Sequence, residues 1–445
     1  MTITTSAHFG FPIPAIKAAT NSPTRTFDFL RSLLGLRYFF IAGMRNMSDN
    51  SLTPPKSIRA RSSQRSIIRE LLKLASQPDV ISFAGGLPSP KSFPVQAIEK
   101  ATDWVLETEG TRALQYSSTE GEPALRKAIA AHEAELGAPV DPDCIQIVSG
   151  SQQALDLMAL AYIDEGSKVA VEDPTYLGAL SAFKLQRPEF VTLPTDEHGL
   201  NPDLIGPEFS GIRFAYVMPT FQNPTGITIT EERRKKLAEK AREYDFWILE
   251  DNPYGELWYD RQPPKPIRCY APERTLTMGT FSKVLSPGFR LGYIIGPKAA
   301  LDPLTTIKQA VDLHTSTFTQ LISARCLNEG LMKTHMPDVR ALYRTQCHCM
   351  LDALQRYFPE GTTWTKPDGG MFIWVTLPEY INTDDMMKEA LDRKVAYVPS
   401  SAFYANEPKF NQMRLSFVTV PPEKIDQGVK VLADLIKEKM AAHNA

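Results

Sequence analysis

The chain reads as an α/β protein: a mostly parallel sheet with flanking helices, followed by a smaller α+β unit toward the C-terminus. Three observations predict this. Strand-like and helix-like runs alternate through the middle of the sequence, the pattern of α/β layers. After about Met336 the order changes to one long helical stretch, three short strand-like runs and a closing helix from Pro422 to Met440. The length, 445 residues, also exceeds what one hydrophobic core organises.

The N-terminal stretch stands apart. Residues 1–47 hold a single acidic residue, Asp28, against Lys17, Arg25, Arg31, Arg37 and Arg45. Such an Arg-rich, acid-poor leader suits a mitochondrial-type transit peptide; the other readings are a disordered extension, or an upstream start codon with the true start near Met44 or Met47. The apolar run from Phe27 to Met44 is too short and too charged to span a bilayer. A cytoplasmic protein is expected, or a mitochondrial one if the leader is genuine.

From Ser63 the residues Ile67, Ile68, Leu71, Leu72 and Leu74 fall near helical spacing, and the turn Ala84-Gly85-Gly86-Leu87-Pro88 ends that arm. Residues 48–90 thus read as an N-terminal arm and part of a small domain, 91–335 as a large domain, and 336–445 as the small C-terminal domain. Strands are expected at Ile145–Val148, Lys168–Val171, Arg213–Met218, Phe246–Glu250, Thr275–Gly279 and Leu291–Ile295, then at Phe372–Leu377, Ala396–Val398 and Met413–Phe417. Helices lie between the first set, among them Ser151–Tyr162 and Glu231–Tyr244. The second opens on Thr228-Ile229-Thr230-Glu231, which has the form of a capping box.

Composition excludes some functions. Lys+Arg 49 against Asp+Glu 51 gives a net charge of −2, so neither nucleic acid nor an acidic membrane is expected as partner. A charged substrate must then be gripped by a few placed residues. The five cysteines, Cys144, Cys269, Cys326, Cys347 and Cys349, are odd in number and scattered, which argues against a disulfide framework and for a reducing compartment. Cys347-His348-Cys349 lacks the second ligand pair of a structural zinc site, so no metal is expected.

Four segments carry chemistry. Gly279-Thr280-Phe281-Ser282-Lys283, followed by Gly288-Phe289-Arg290-Leu291-Gly292, places a lysine just past a buried strand, between hydroxyls and near an arginine. A partly desolvated lysine can form a Schiff base with an aldehyde, and hydroxyls with an arginine suit a phosphate. Asp251, in Leu249-Glu250-Asp251-Asn252-Pro253-Tyr254, ends another strand, where ligands gather in parallel sheets; an acid there can pair with a protonated pyridine nitrogen. Ser149-Gly150-Ser151-Gln152-Gln153 links a strand to a helix N-terminus, a ready anion site. Phe221-Gln222-Asn223-Pro224-Thr225-Gly226 is a tight turn able to present Asn223 to the same crevice. Each segment alone also has an ordinary reading as a turn, a loop acid or a solvated lysine; their agreement on one ligand is the stronger fact.

At these residues the sequence resembles class I/II aminotransferases of fold type I, and more narrowly the branch of 2-aminoadipate and kynurenine aminotransferases and the aminotransferase-like domain of MocR-type regulators. The strings that carry the resemblance are ISFAGGLPSP, LQYSSTEGEPALR, SGSQQALDL, VEDPTYLGAL, PTFQNPTG, EDNPYGEL, GTFSKVLSPGFRLGY, DGGMFIWV and MRLSFV, running from about Ile81 to Val418. The resemblance implies a seven-stranded, mostly parallel sheet and pyridoxal 5'-phosphate as cofactor. It implies that Lys283 carries the cofactor, Asp251 pairs with the ring nitrogen, Asn223 and Tyr254 bind the ring 3-oxygen, and Tyr176 stacks on the ring. Ser151, Gln152, Thr280, Ser282 and Arg290 would hold the phosphate, and Tyr116 would reach the phosphate of a neighbouring subunit in a homodimer. Arg414 would bind the substrate α-carboxylate, with Gly86 and Asn223 beside the substrate.

The implied reaction is a ping-pong transfer from an L-amino acid (2-aminoadipate, aromatic or branched-chain) to a 2-oxo acid such as 2-oxoglutarate. A C–S lyase or decarboxylase would use the same lysine and aspartate, and a cofactor-sensing regulator without catalysis is a third possibility. A DNA-binding version needs a winged-helix domain ahead of the core, and the stretch before Ala84 has no helix-turn-helix pattern. Two departures bear on the substrate: Trp258 stands where the branch often has a basic residue, and Ser400-Ser401 where glycine is usual.

Overall fold

The computed structural model describes residues 54–62, 77 and 79–443. The leader, and most of the helix expected from Ser63, lie outside them. The chain divides into two compact units, 1–61 and 62–445. The described part of the first, 54–61, is exposed and carries all but the last residue of a short helical turn, Ile58–Ser62. The second unit holds every strand among the described residues.

Its strands among the described residues are, in chain order, β1 (Ile81–Ser82), β2 (Ile145–Val148), β3 (Lys168–Val171), β4 (Glu189–Thr192), β5 (Thr195–Asp196), β6 (Gly199–Leu200), β7 (Phe214–Val217), β8 (Trp247–Asp251), β9 (Thr275–Thr280), β10 (Gly292–Ile295), β11 (Thr363–Trp364), β12 (Phe372–Thr376), β13 (Val395–Ala396), β14 (Val398–Pro399) and β15 (Gln412–Ser416). Seven form the main sheet, in the order β2-β10-β9-β8-β7-β3-β4. All run parallel except β10, which is antiparallel to both neighbours.

The parallel strands are apolar almost throughout because both faces of the sheet are covered. Alternate residues enter different cores. Val169, Val171, Phe214, Tyr216 and Leu249 join one cluster with Ala154, Leu155 and Met158 of helix Ser151–Tyr162. Ala170, Ala215, Val217 and Ile248 join the other with Leu237, Ala238 and Ala241 of helix Glu231–Glu243.

That second helix corrects the expected capping box. Its N-cap is Thr230, whose hydroxyl accepts from Arg233 N, while Thr228 Oγ1 instead accepts from Phe221 N at 3.0 Å and closes the preceding turn.

A four-stranded antiparallel sheet, β11-β12-β15-β14, follows the 22-residue helix Met336–Tyr357 in sequence. The single run expected over Ala396–Val398 is two strands. β13 pairs in parallel with β1, and β14 joins the antiparallel sheet. In this way the arm around Ile81 and the C-terminal segment are tied together beside the main sheet.

Candidate active site

The parallel strands deliver their carboxyl ends to one edge of the main sheet, and β10, running the other way, starts there. Arg290, just before β10, therefore reaches the same edge as the turns after β2, β7, β8 and β9.

After β2 the chain turns at Gly150, with φ +84°, and the helix starts at Ser151. A Cβ on Gly150 would lie 2.7 Å from Arg290 Nη2, so glycine is needed both for the backbone angle and for the approach of the guanidinium. The N–H groups of Ser151 and Gln152, in the first turn of that helix, have no intrahelical partners, whereas Gln153 N already donates to Gly150 O at 3.0 Å. Gln152 also reaches Gly178 O at 3.3 Å. Behind β9, Ser282 N donates to Thr280 Oγ1 at 3.2 Å, which gathers both hydroxyls at the strand end. Arg290 itself adopts a left-handed conformation, φ +50°. Backbone donors, two hydroxyls and a guanidinium thus surround one small volume.

Next to this cradle, Lys283 donates from Nζ to Gly86 O at 2.7 Å. Burial, and then the positive charges of Arg414 and Arg290, lower its pKa to about 8. On β8, Glu250 and Asp251 point to opposite faces. Glu250 is satisfied within the fold by Ile267 N at 2.9 Å and Thr277 Oγ1 at 2.8 Å. Asp251 accepts from Tyr216 OH through Oδ2 at 2.8 Å, whereas its buried Oδ1 has no donor among the described residues. Burial raises its pKa to about 7, partly offset by the Tyr216 hydrogen bond.

Arg414, on β15, is 5% exposed and donates from Nη1 to Asn223 Oδ1 at 2.9 Å and from Nη2 to Ala84 O at 2.8 Å. Its Nε is buried with no hydrogen-bond partner among the described residues. Its guanidinium lies 4.2 Å from the ring centre of Phe372 and 5.2 Å from that of Phe403. Tyr254 packs edge-on against Phe372 and hydrogen-bonds Asn223, and burial raises its pKa. Tyr176 feels the charges of Asp251, Arg414 and Arg290, and burial raises its pKa too.

The structure therefore brings together Gly86, Ser151, Gln152, Tyr176, Asn223, Asp251, Tyr254, Thr280, Ser282, Lys283, Arg290 and Arg414. Tyr116 stands outside this group: it is 78% exposed and packs edge-on against His314, with ring centres 5.7 Å apart.

A profile of the family described as aminotransferase class I and II matches residues 78–432. The chain belongs to the class I and II aminotransferases. It is 47% identical over 393 residues to aromatic-amino-acid aminotransferase 1 of Thermococcus litoralis, covering 86% of this chain and 94% of the relative. Among solved structures it is similar to the Pyrococcus horikoshii kynurenine aminotransferase in complex with PMP, at 42% identity and a TM-score of 0.83, covering 86% of this chain and 97% of that one. It is also similar to the α-aminoadipate aminotransferase of Thermus thermophilus in complex with N-(5'-phosphopyridoxyl)-L-leucine, at 37% identity and a TM-score of 0.80, covering 87% and 98%.

This aminotransferase has the fold type I architecture, acts on amino acids and uses pyridoxal phosphate. The residues fit that cofactor on three counts. Asp251 Oδ1 is a buried acceptor left without a donor; the Gly150 turn leaves a cradle that a side chain would close against Arg290; and Lys283 is an amine whose charge is already disfavoured. Among the described residues no helix is long and apolar enough to cross a membrane.

Several partners in the aminotransferase site were not legible beforehand. Tyr216 sits mid-strand, where its hydroxyl was the only sign that it serves Asp251. Phe372, at the start of an expected strand, and Phe403 carry no sequence sign that they pack against Arg414. Both departures from the branch pattern have structural partners. Trp258 lies under Arg340, 3.8 Å from guanidinium to ring centre, and Ser401 Oγ donates to Asp384 Oδ2 at 2.5 Å.

Proposed function

We propose that this aminotransferase moves the amino group of an L-amino acid with an aromatic, 2-aminoadipate or branched-chain side chain to a 2-oxo acid, with 2-oxoglutarate as the main acceptor, in two half-reactions. The observation that carries this is the convergence of the Lys283 amine, the unpartnered Asp251 Oδ1 and Arg414 in one crevice. The named activities of the three relatives support the donor classes.

When bound, pyridoxal phosphate supplies a ring that takes up the electron pair released at the substrate Cα. Lys283 would hold the cofactor through its amine, and once freed by the incoming amino acid the same amine would take the Cα proton and deliver it two atoms along, a 1,3-shift. Its lowered pKa keeps part of it neutral near pH 7, as a base requires. Asp251 Oδ1 would accept from the ring nitrogen, and its negative charge would favour a proton there. Tyr216 holds Asp251 in place.

Arg414 binds the substrate carboxylate. A guanidinium has five N–H groups, and two are used by Asn223 and Ala84, which leaves Nε and one N–H on each terminal nitrogen. A carboxylate held there fixes which bond at Cα faces the ring. Asn223 and Tyr254 serve the ring 3-oxygen and Tyr176 the ring face. Ser151, Gln152, Thr280, Ser282 and Arg290 serve the phosphate, and Gly86 borders the substrate. On this reading the chain works as a homodimer in which the exposed Tyr116 completes the neighbour's phosphate site. Residues 91–335 form the cofactor-binding domain, and residues 336–445, with the 48–90 arm, form the small domain that brings Arg414 to it.

The test is a donor screen that follows loss of the cofactor's visible absorption and then consumption of 2-oxoglutarate. Release of ammonia and pyruvate without consumption of the oxo acid would make the protein a lyase instead. Lys283→Ala is expected to abolish turnover, and a variant that kept near wild-type rates would overturn the assignment.

A further inference from the structure

Lys308 is an anomaly of the fold. Helix Lys298–Val311 buries Ala300, Leu301, Leu304 and Lys308, one apolar stripe at helical spacing with a lysine at its end. The Lys308 side chain is 0% exposed, and a buried ammonium is costly unless its donors are matched. All three are matched. Nζ donates to Gln153 Oε1 at 2.7 Å, to Asp312 Oδ1 at 2.8 Å and to Asp312 Oδ2 at 3.0 Å.

The partners lead to one place. Asp312 Oδ2 also accepts from Gln153 Nε2 at 2.7 Å and from Ser149 Oγ at 2.8 Å. Gln153 Oε1 accepts from Ser149 N at 2.7 Å, and Thr315 Oγ1 lies 3.1 Å from Ser149 Oγ. Both the backbone and the side chain of Ser149 are thus held from behind, immediately before Gly150 and the helix start at Ser151. None of these groups lies among those that face the cofactor.

We propose that Lys308, Asp312 and Gln153 are positioning residues: a buried brace that fixes the Ser149–Ser151 turn in the shape that receives the cofactor phosphate. The inference rests on the phosphate site assigned above. A turn with φ +84° at Gly150 is held open by its surroundings, and apart from Thr315 the brace supplies the side-chain hydrogen bonds to Ser149 among the described residues. A charged pair serves here because each of its atoms meets a donor or acceptor in a fixed direction, which an apolar filler would not do.

The test compares two ligands that differ only in the phosphate. Apo-protein is titrated with pyridoxal phosphate and with pyridoxal, for wild type, Asp312→Ala, Lys308→Met and Ser149→Ala. Asp312→Ala and Lys308→Met are expected to raise the Kd for pyridoxal phosphate roughly tenfold or more, and Ser149→Ala roughly threefold, with the Kd for pyridoxal within about twofold of wild type. Ser149→Ala removes one hydroxyl at a partly exposed position, so it reports even if the buried variants do not fold. Equal losses for both ligands, or an unchanged preference for the phosphate form in all three variants, would overturn the brace. If wild type bound the cofactor without the visible band that a lysine adduct gives, the assignment of Lys283 would fail, while the Kd ratios would still decide the brace.

Discussion

The titration of Lys283 tests the core of the site without turnover. An ordinary lysine, at 10.5, is roughly 0.03% free base at pH 7; one at about 8 is roughly a tenth free base, about 300-fold more. The direction follows from geometry. The amine is buried, which disfavours its charged form, and two guanidinium groups share its crevice. Its hydrogen-bond partner, Gly86 O, accepts from the amine in either protonation state. The assay is competitive acetylation of the apo-protein with trace anhydride between pH 6 and 11, with the Lys283 peptide quantified against exposed Lys168 and Lys298. Restricted access scales the labelling but does not move its midpoint. Lys283 is expected to gain reactivity tenfold per pH unit up to about 8 and then level off. A midpoint at 10 or above would refute the reasoning.

Substituting Arg414 separates the causes. Burial is the largest, Arg414 the next and Arg290 the third. Arg414→Gln is thus expected to raise the midpoint above that of wild type while leaving it below 10.5. An unmoved or lowered midpoint would mean that the guanidinium field does not reach the amine.

Two further outcomes follow from contacts already described. Asp251→Asn keeps the size and the Tyr216 contact but removes the charge, and breaking one side of a buried ion pair costs about 3–5 kcal/mol. The kcat/KM is expected to fall at least about 100-fold, and stopped-flow amination kinetics within tenfold of wild type would contradict the assignment. Gly150→Ala puts a Cβ 2.7 Å from Arg290 Nη2 at a backbone angle that non-glycine residues avoid. The Kd for pyridoxal phosphate should rise about tenfold or more by equilibrium titration, and an unchanged value would show that the guanidinium does not depend on that close approach.

The buried parallel strands could be read from sequence because both of their faces are apolar, and Ile145–Val148 and Lys168–Val171 match the expected limits. The edge strand β4, Glu-Phe-Val-Thr, is half exposed, with neither alternation nor a continuous apolar run to mark it. The hairpin β5–β6 is too short to carry a period. Thr228 and Thr230 both precede an acidic first turn, and only the turn at Phe221 decides which of them caps the helix. Lys308 could have been found: it sits at an apolar-stripe position where solvated lysine is out of place.

Reactive residue types at strand ends were visible one by one, whereas the closure of the site was not. Arg414 shows why. Its two engaged nitrogens join it to Asn223, 191 residues away, and to Ala84, 330 residues away, with Phe372 beneath. No local pattern encodes such a junction. One side chain thus links the arm, the turn after β7 and the antiparallel sheet, and on the proposed reading its remaining N–H groups bind the substrate carboxylate. Any Arg414 variant must therefore change substrate affinity and the fit of these segments together. A raised KM in Arg414→Gln would not separate the two effects, but the Lys283 midpoint does. Loosening the junction admits water and relieves burial, returning the amine toward 10.5, whereas loss of the charge alone moves it only part of the way.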